Sequence, residues 1–494
     1  MKLKQIIILA ALSAVSAVWA QPNPYKQYTD NLPFAMPEVK APVFPANEVV
    51  LTDFGAQGDG SSLCTDAFAR AIDALGKKGG GRLVVPQGVW FTGPIVLKSN
   101  INLHLEKGAV ILFSNDDSLY SLIETSFEGL ETRRCQSPLS ANGAVNIAVT
   151  GQGAIDGNGL AWRPLKKQKV TEAQWKAFTS QPGGVFKRDD LWLPSAGYLH
   201  ADTTANMNVP TGMKSEADWN YIKRFLRPVM VSLVGCKNVL LKDVIFQNSP
   251  AWNIHPLMCE NIIIDNVLAR NPAYAQNGDA LDLESCRNAL IVNSVFDAGD
   301  DGICIKSGKD ADGRKRGRPC ENVVVDGCTV FQGHGGFVVG SEMSGGVKNI
   351  LVQKCQFLGT DVGLRFKSCR GRGGVVQNIF IRDISMFDIQ GDAITFDLYY
   401  GSKSVIEVLE SGEKVNNIEA KPVDETTPEF RDITIERIAC RNARRALFFN
   451  GLPEMPIRNI SLKDIHVTAR VPNDFFNCKN VTQDKVEVEL RIKN

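Results

Sequence analysis

The chain has 494 residues, 44% hydrophobic and 22% charged, with a formal net charge of +1. That is ordinary soluble material with length for a large core, which sets disorder aside. The balanced charge argues neither for nor against nucleic acid or a membrane surface, and no nucleic-acid partner is expected.

Residues 1–20, MKLKQIIILAALSAVSAVWA, join Lys2 and Lys4 to an apolar run from Ile6 to Val18 and small residues toward Ala20. This is a secretory signal cleaved between Ala20 and Gln21, too short to span a membrane. Export to the periplasm or beyond is expected, with no membrane span. Residues 21–47 are Pro-rich and lack any period, so they predict an extended surface lead-in. From 48 to 494 a single domain is expected.

Thr65 reads as an N-cap, and Phe68, Ala71, Ile72 and Leu75 follow at helical spacing toward Gly79 to Gly81. Strands follow at Arg82 to Val85, Ile95 to Leu97 and Ile101 to Leu105. A helix before many strands suits a plug over the end of a stacked β core.

One phrase then keeps returning: Asn followed by apolar residues, at Asn146, Asn238, Asn261, Asn288, Asn322, Asn349 and Asn378, with Asp432, Asn459 and Asn480 as later copies. From Asn238 to Asn378 the copies stand 23 to 34 residues apart. That period, with Gly, Asn and Asp at the joints, predicts an all-β fold, a right-handed parallel β-helix. The Asn residues would stack in a ladder that satisfies their own amides. A propeller needs longer four-strand units and hairpin turns, which the sequence lacks. Five of the twelve cysteines (Cys236, Cys259, Cys286, Cys320 and Cys478) each precede an Asn by two positions. A recurrent Cys at one structural position reads as a small buried residue, so mostly free thiols are expected. Insertions at 160–228, with KKQK and four tryptophans, and at 401–428 break the period; in a solenoid such insertions form loops on one face, often the binding face.

The chemistry concentrates between Asn277 and Lys306. Asp279 stands in NGD, Asp300 and Asp301 in AGDDG, and Ala289 to Phe296 between them reads as a strand. Asp301 follows Asp279 by about one repeat, His334 in GHG lies about a repeat further, and Arg365 and Lys367 in RFK a repeat beyond that. Stacking therefore lines up carboxylates, an imidazole and two cations across four coils. Crowded carboxylates drive protonation states apart, as general acid–base chemistry requires. The arrangement suits hydrolysis of a glycosidic bond in an acidic polysaccharide. Asp282 reads as a structural carboxylate behind the reacting set. Trp252 reads as core, and His255 as a residue that lines the groove. Lys306, Arg314, Arg316, Arg370 and Arg372 read as solvated charges or added anion subsites.

Asn277-Gly278-Asp279, Gly299-Asp300-Asp301, Gly333-His334-Gly335 and Arg365-Phe366-Lys367, in that order, resemble the four motifs of glycoside hydrolase family 28, the polygalacturonases. The resemblance runs from about Val49 to Ala469. It implies that Asp300 is the general acid and that Asp279 and Asp301 activate water, with inversion and a carboxyl separation of roughly 6.5–9.5 Å. It further implies that His334 tunes the acid, that Arg365 and Lys367 grip galacturonate carboxylates, and that Tyr399 or Tyr400 meets the substrate, with Asn277 beside it. No metal or other cofactor is implied, and a monomer acting on an oligogalacturonide or acidic polysaccharide is expected. Exo action is slightly favoured, because the 160–228 insertion would wall off one end of the groove. The alternatives are a hydrolase of rhamnogalacturonan or other decorated pectin, a Ca-dependent lyase-like enzyme, and a non-catalytic carbohydrate-binding β-helix. The presence of His334 favours a galacturonate–galacturonate linkage.

Overall fold

The computed structural model describes residues 23–401 and 419–491; the expected signal segment and most of the expected 401–428 insertion lie outside them. The chain winds as a right-handed parallel β-helix with three strands to a full coil. One coil contributes Leu281–Glu284, Arg287–Val292 and Val295–Ala298; the next contributes Asp301–Lys306, Cys320–Asp326 and Thr329–Gln332. Each strand pairs in parallel with its counterpart one coil on, in registers such as Leu281 with Ile303, Ala289 with Val323 and Val295 with Thr329. The expected single strand from Ala289 to Phe296 is therefore two strands, turned at Asn293, whose φ is 52°.

Alternation sends Ile291, Val325 and Val352 into one continuous core. Further along, Phe366 lies flat on Phe396 with ring centroids 4.3 Å apart. The Asn ladder is present. Amide Nδ2 donates to the Oδ1 one coil earlier from Asn146 back to Asn100, and so on through Asn238, Asn261, Asn288, Asn322, Asn349 and Asn378, at 2.9–3.3 Å. Each of these residues has a positive φ near 55°, a conformation Asn tolerates better than branched residues do.

Two expectations near the amino end change. The capping helix is Thr65–Lys77 with Cys64 at the cap position; Thr65 Oγ1 instead accepts from the Gly93 N–H at 2.6 Å. The lead-in is more than surface decoration. Tyr25 and Val39 are buried against Leu240, Ile263, Leu290, Val324 and Leu351 on the outside of the middle strands, and the Tyr25 hydroxyl donates to Asp265 at 2.9 Å. The phrases NVLL, NIII, NALI and NVVV are apolar at consecutive positions, so those strands need cover on both faces.

All twelve thiols are free, ten of them buried, as in the Cys259 N–H contact with Cys286 Sγ at 3.3 Å. The 160–228 insertion folds as helices Glu172–Thr179, Ala196–Thr204 and Glu216–Tyr221 with a small antiparallel sheet, outside the coil ladder. A further hairpin, Leu122–Phe127 with Leu130–Cys135, gives no period in the sequence. No helix among the described residues is long and apolar enough to cross a membrane.

Candidate active site

The register that pairs Leu281 with Ile303 brings Asp279 level with Asp301 on neighbouring coils, and Asp300 sits in the turn just before. One oxygen from each of the three carboxylates lies within 4.8 Å of one from each of the others. That is closer than the separation implied by the resemblance. The cause is the fold: in-register residues on adjacent coils are held about 4.8 Å apart by the strand spacing.

His334 and the two cations arrive from the next two coils. His334 Nδ1 lies 3.1 Å from Asp300 Oδ1, and its Nε2 lies 3.9 Å from Asp361. Lys367 Nζ donates to Asp301 Oδ2 at 2.6 Å, and Arg365 reaches Asp301 Oδ1 and the His334 carbonyl at 3.5 and 3.2 Å. The six residues that stacking predicted as neighbours are neighbours. Tyr399 and Tyr400 divide. Tyr400 lies beneath both cations, with Lys367 Nζ 5.1 Å and Arg365 5.7 Å from its ring centre. Tyr399 turns into the core beside Arg370 and is 2% exposed, so it does not face the groove. Asn277 does not present a free amide either: its Oδ1 accepts from Arg227 at 2.5 Å and its Nδ2 donates to Glu128 at 3.1 Å. It braces the turn that carries Asp279.

Lys306 is the residue sequence reading undervalued. It is buried, with Nζ 3.0 Å from Asp282, 3.5 Å from Glu342 and 3.6 Å from Asp279, and it lies over the Trp252 ring at 3.7 Å. The signal was in the register: Ile303 and Ile305 point inward, so Cys304 and Lys306 stand outward against Asp282 and Glu284 of the coil before. Trp252 is core, stacked on Phe127. His255 does not line the groove; it is buried and paired with Glu284 at 2.8 Å. The arginines are engaged by protein rather than solvated: Arg316 by Glu284 and Glu131, Arg370 by Glu454, Arg372 by Asp310, and Arg314 by the Gly371 carbonyl.

Burial pushes the carboxyl of Asp279 well up, and the like charges of Asp282 and Asp300 add to the rise. Burial also lifts Asp282, to about 6, even against the pull of Lys306. Asp300 goes the other way. Its burial would raise it, but the hydrogen bond and charge of His334, then Lys367 and Lys306, hold it below the usual carboxylate range. Glu342, only partly exposed, is drawn down to about 2 by Lys306, Lys367 and Lys309 against the opposing effect of its desolvation. The cluster therefore sets a carboxyl biased toward its protonated form beside one biased toward its ionised form, the separation that acid–base cleavage of an acetal needs.

Carboxylates set between lysines and an arginine, stacked across neighbouring β-helix coils, suit acid–base cleavage of a glycosidic bond in an anionic sugar chain. The sequence profile of glycosyl hydrolases family 28 matches residues 213–490. The chain is 30% identical over 423 residues to an exo-poly-alpha-D-galacturonosidase of Dickeya chrysanthemi, covering 84% of this chain and 65% of that one. It is 27% identical over 448 residues to a probable polygalacturonase of Vitis vinifera, covering 88% and 78%. The crystal structure of an exopolygalacturonase from Thermotoga maritima superposes with a TM-score of 0.76 at 33% identity, over 92% of this chain and 94% of that one. The chain belongs to glycosyl hydrolases family 28, and it is a glycoside hydrolase.

Proposed function

We propose that the protein is exported and hydrolyses α-1,4-galacturonosidic bonds of pectic polygalacturonate, acting from a chain end. The observation that carries the substrate is the pair Arg365 and Lys367 held over Tyr400 beside the carboxylate cluster, a grip for a sugar carboxylate next to the reacting bond. Two relatives at 30% identity or more are exo-acting by name, which supports action from an end.

In this reading Asp300 protonates the leaving oxygen, while Asp279 and Asp301 hold and deprotonate the attacking water. Depth supports the division. Asp300 is the most exposed of the three side chains, and Asp279 and Asp301 lie beneath it, nearly sealed. Asp279 Oδ1 is buried without a hydrogen-bond partner among the described residues, an acceptor suited to a water. Two carboxylates on adjacent coils can hold one water between them, and that water can reach the anomeric carbon. Inversion follows.

Burial and like charges favour the protonated form of Asp279, while the hydrogen bond and charge of His334 favour the ionised form of Asp300. Oxygens of the two carboxyls lie within 4.8 Å of each other, so in this reading one proton moved across the cluster arms Asp300.

The close carboxyl spacing would by itself suggest retention, so stereochemistry is the sharpest test. Proton NMR of the first product from trigalacturonate should show the β anomer before mutarotation; the α anomer would refute the water-activating pair. Monomer or dimer released from the outset supports exo action, and a spread of sizes would refute it. The three carboxylates are also spaced to accept a divalent cation, a feature that a Ca-dependent lyase would share. An unsaturated product that disappears with a chelator would replace hydrolysis with that chemistry.

A further inference from the structure

The motif KKQK at Lys166–Lys169 belongs to the 160–228 insertion and has no part in the cluster described so far. We propose that Lys169 grips the carboxylate of the sugar unit seated beside Asp300, so that the insertion makes a charged unit there a condition of efficient cleavage. The inference rests on the galacturonan reading above and goes beyond the grip of Arg365 and Lys367.

Geometry supplies the first argument. Lys169 Nζ lies 3.4 Å from the carbonyl of Gly299, the residue before Asp300. That carbonyl is its only hydrogen-bond partner among the described residues. Lys306, Lys367 and Arg365 are each held by a carboxylate at 3.5 Å or less, whereas Lys169 has no ion pair among the described residues. The acidic groups it feels are Asp300 and Asp361, the two carboxylates that flank His334. Arg365 and Lys367 serve the Asp301 side of the cluster; Lys169 serves the Asp300 side.

The second argument is that the amine is placed by a rigid lobe. Arg163 at the start of the insertion is buried and donates to the Ser249 carbonyl at 2.8 Å and to Asn248 at 3.1 Å. Arg227 at its end donates to the Gln276 carbonyl at 2.7 Å and to Asn277. Between these roots, Leu165, Trp175 and Trp192 form a small core. It includes Val170, next to Lys169, and Tyr274 from the loop that leads into Asp279. Phe178 packs on Tyr274 with ring centroids 5.3 Å apart. A lysine on a free loop would waste side-chain entropy on binding; one delivered by a packed lobe has spent much of it already.

The third argument is chemical. The amine is half-buried, and burial lowers its proton affinity while Asp300 raises it. A half-desolvated cation without an anionic partner gains most from a ligand that brings one, and a uronate carboxylate beside the leaving oxygen is such a ligand. Two successive uronates would then each meet a cation, one on either side of the bond.

The test uses Lys169→Gln and Lys169→Arg in the full-length protein, with trigalacturonates that carry one methyl ester at each unit in turn. In the wild type, an ester on the unit beside Asp300 should lower kcat/KM. In Lys169→Gln, kcat/KM on the free acid should fall about tenfold, mostly through KM, while the penalty for that ester disappears. Lys169→Arg should keep the penalty. A Gln variant that retains the ester penalty would overturn the proposal. So would a parallel loss on acid and ester, which would make Lys169 only a tie to Gly299. A wild type inactive on every galacturonide would overturn the galacturonan reading itself.

Discussion

Replacing Lys306 with Met tests whether the catalytic cluster depends on an internal cation. The substitution keeps the length of the side chain and removes the charge shared by Asp282, Glu342 and Asp279 at 3.0, 3.5 and 3.6 Å. Taking one partner from a buried ion pair costs about 3–5 kcal/mol, because the remaining charge is stranded. Carboxylates have an escape, which is to bind protons, and this makes the loss depend on pH. In the wild type Asp282 already rises from 3.8 to about 6. An acid raised in the folded state keeps its proton longer than in the unfolded chain, so folding loses ground as pH climbs from 3.8 to about 6. That alone is about 3 kcal/mol at neutral pH. Without Lys306, Asp279 and Asp282 hold their protons to higher pH still, and Glu342 loses the cation that does most to draw it down. The gap between Lys306→Met and wild type should therefore be small at pH 5 and reach about 3–5 kcal/mol at pH 8. Urea unfolding followed by tryptophan fluorescence at both pH values measures it. A gap under about 1 kcal/mol at pH 8, or one equal at the two pH values, would refute the role given to Lys306.

His334→Ala removes the hydrogen bond that holds Asp300 down; kcat should fall, and the residual activity should persist to higher pH than in wild type, as a pH–rate profile would show. Tyr400→Ala should raise KM about two- to five-fold by uncovering Arg365 and Lys367, with stability unchanged. Tyr399→Ala should instead destabilise by about 3–5 kcal/mol, because that ring is core; equal KM effects in the two variants would contradict the division. Asn288→Ala breaks the ladder to Asn261 and Asn322 and leaves alanine at a φ of 58°. It should cost about 2–4 kcal/mol, and Asn288→Gly, which relieves the backbone strain, about 1–2 less by thermal unfolding.

The fold was legible because a solenoid repeats its grammar. Asn at a left-handed turn, a small thiol two positions earlier in several coils and a run of apolar residues afterwards return along the chain, so each coil repeats the signal of the one before. The reacting residues were legible for the same reason: a period converts sequence separation into stacking, and Asp279 lands level with Asp301. Other features escaped. Lys306 looked like a loop charge because its partners lie on the coil before and, for Glu342, in the loop after the first strand of the coil that follows. Tyr399 and Tyr400 were indistinguishable because DLYYG stands where the strand ends and alternation lapses. The hairpin at 122–135 and the placement of Lys169 depend on tertiary docking of segments with no period. Arg227 and Glu128, which hold Asn277 from two separate insertions, carry no local signature at all.

The close packing of coils also decides which cation serves the substrate. Three carboxylates within 4.8 Å cannot all be desolvated without cations built into the wall. Lys306 meets that need from below Asp279, and Lys367, at 2.6 Å from Asp301 and nearly sealed, meets it on the other side. Lys367 is thus already committed to the protein. Arg365 touches Asp301 more loosely, at 3.5 Å, with its side chain more open to the groove. Its planar fork leaves further N–H donors for an incoming carboxylate. Of the two cations in the RFK motif, Arg365 is the substrate's partner first, and Lys367 is first the condition for Asp301 to remain where it is.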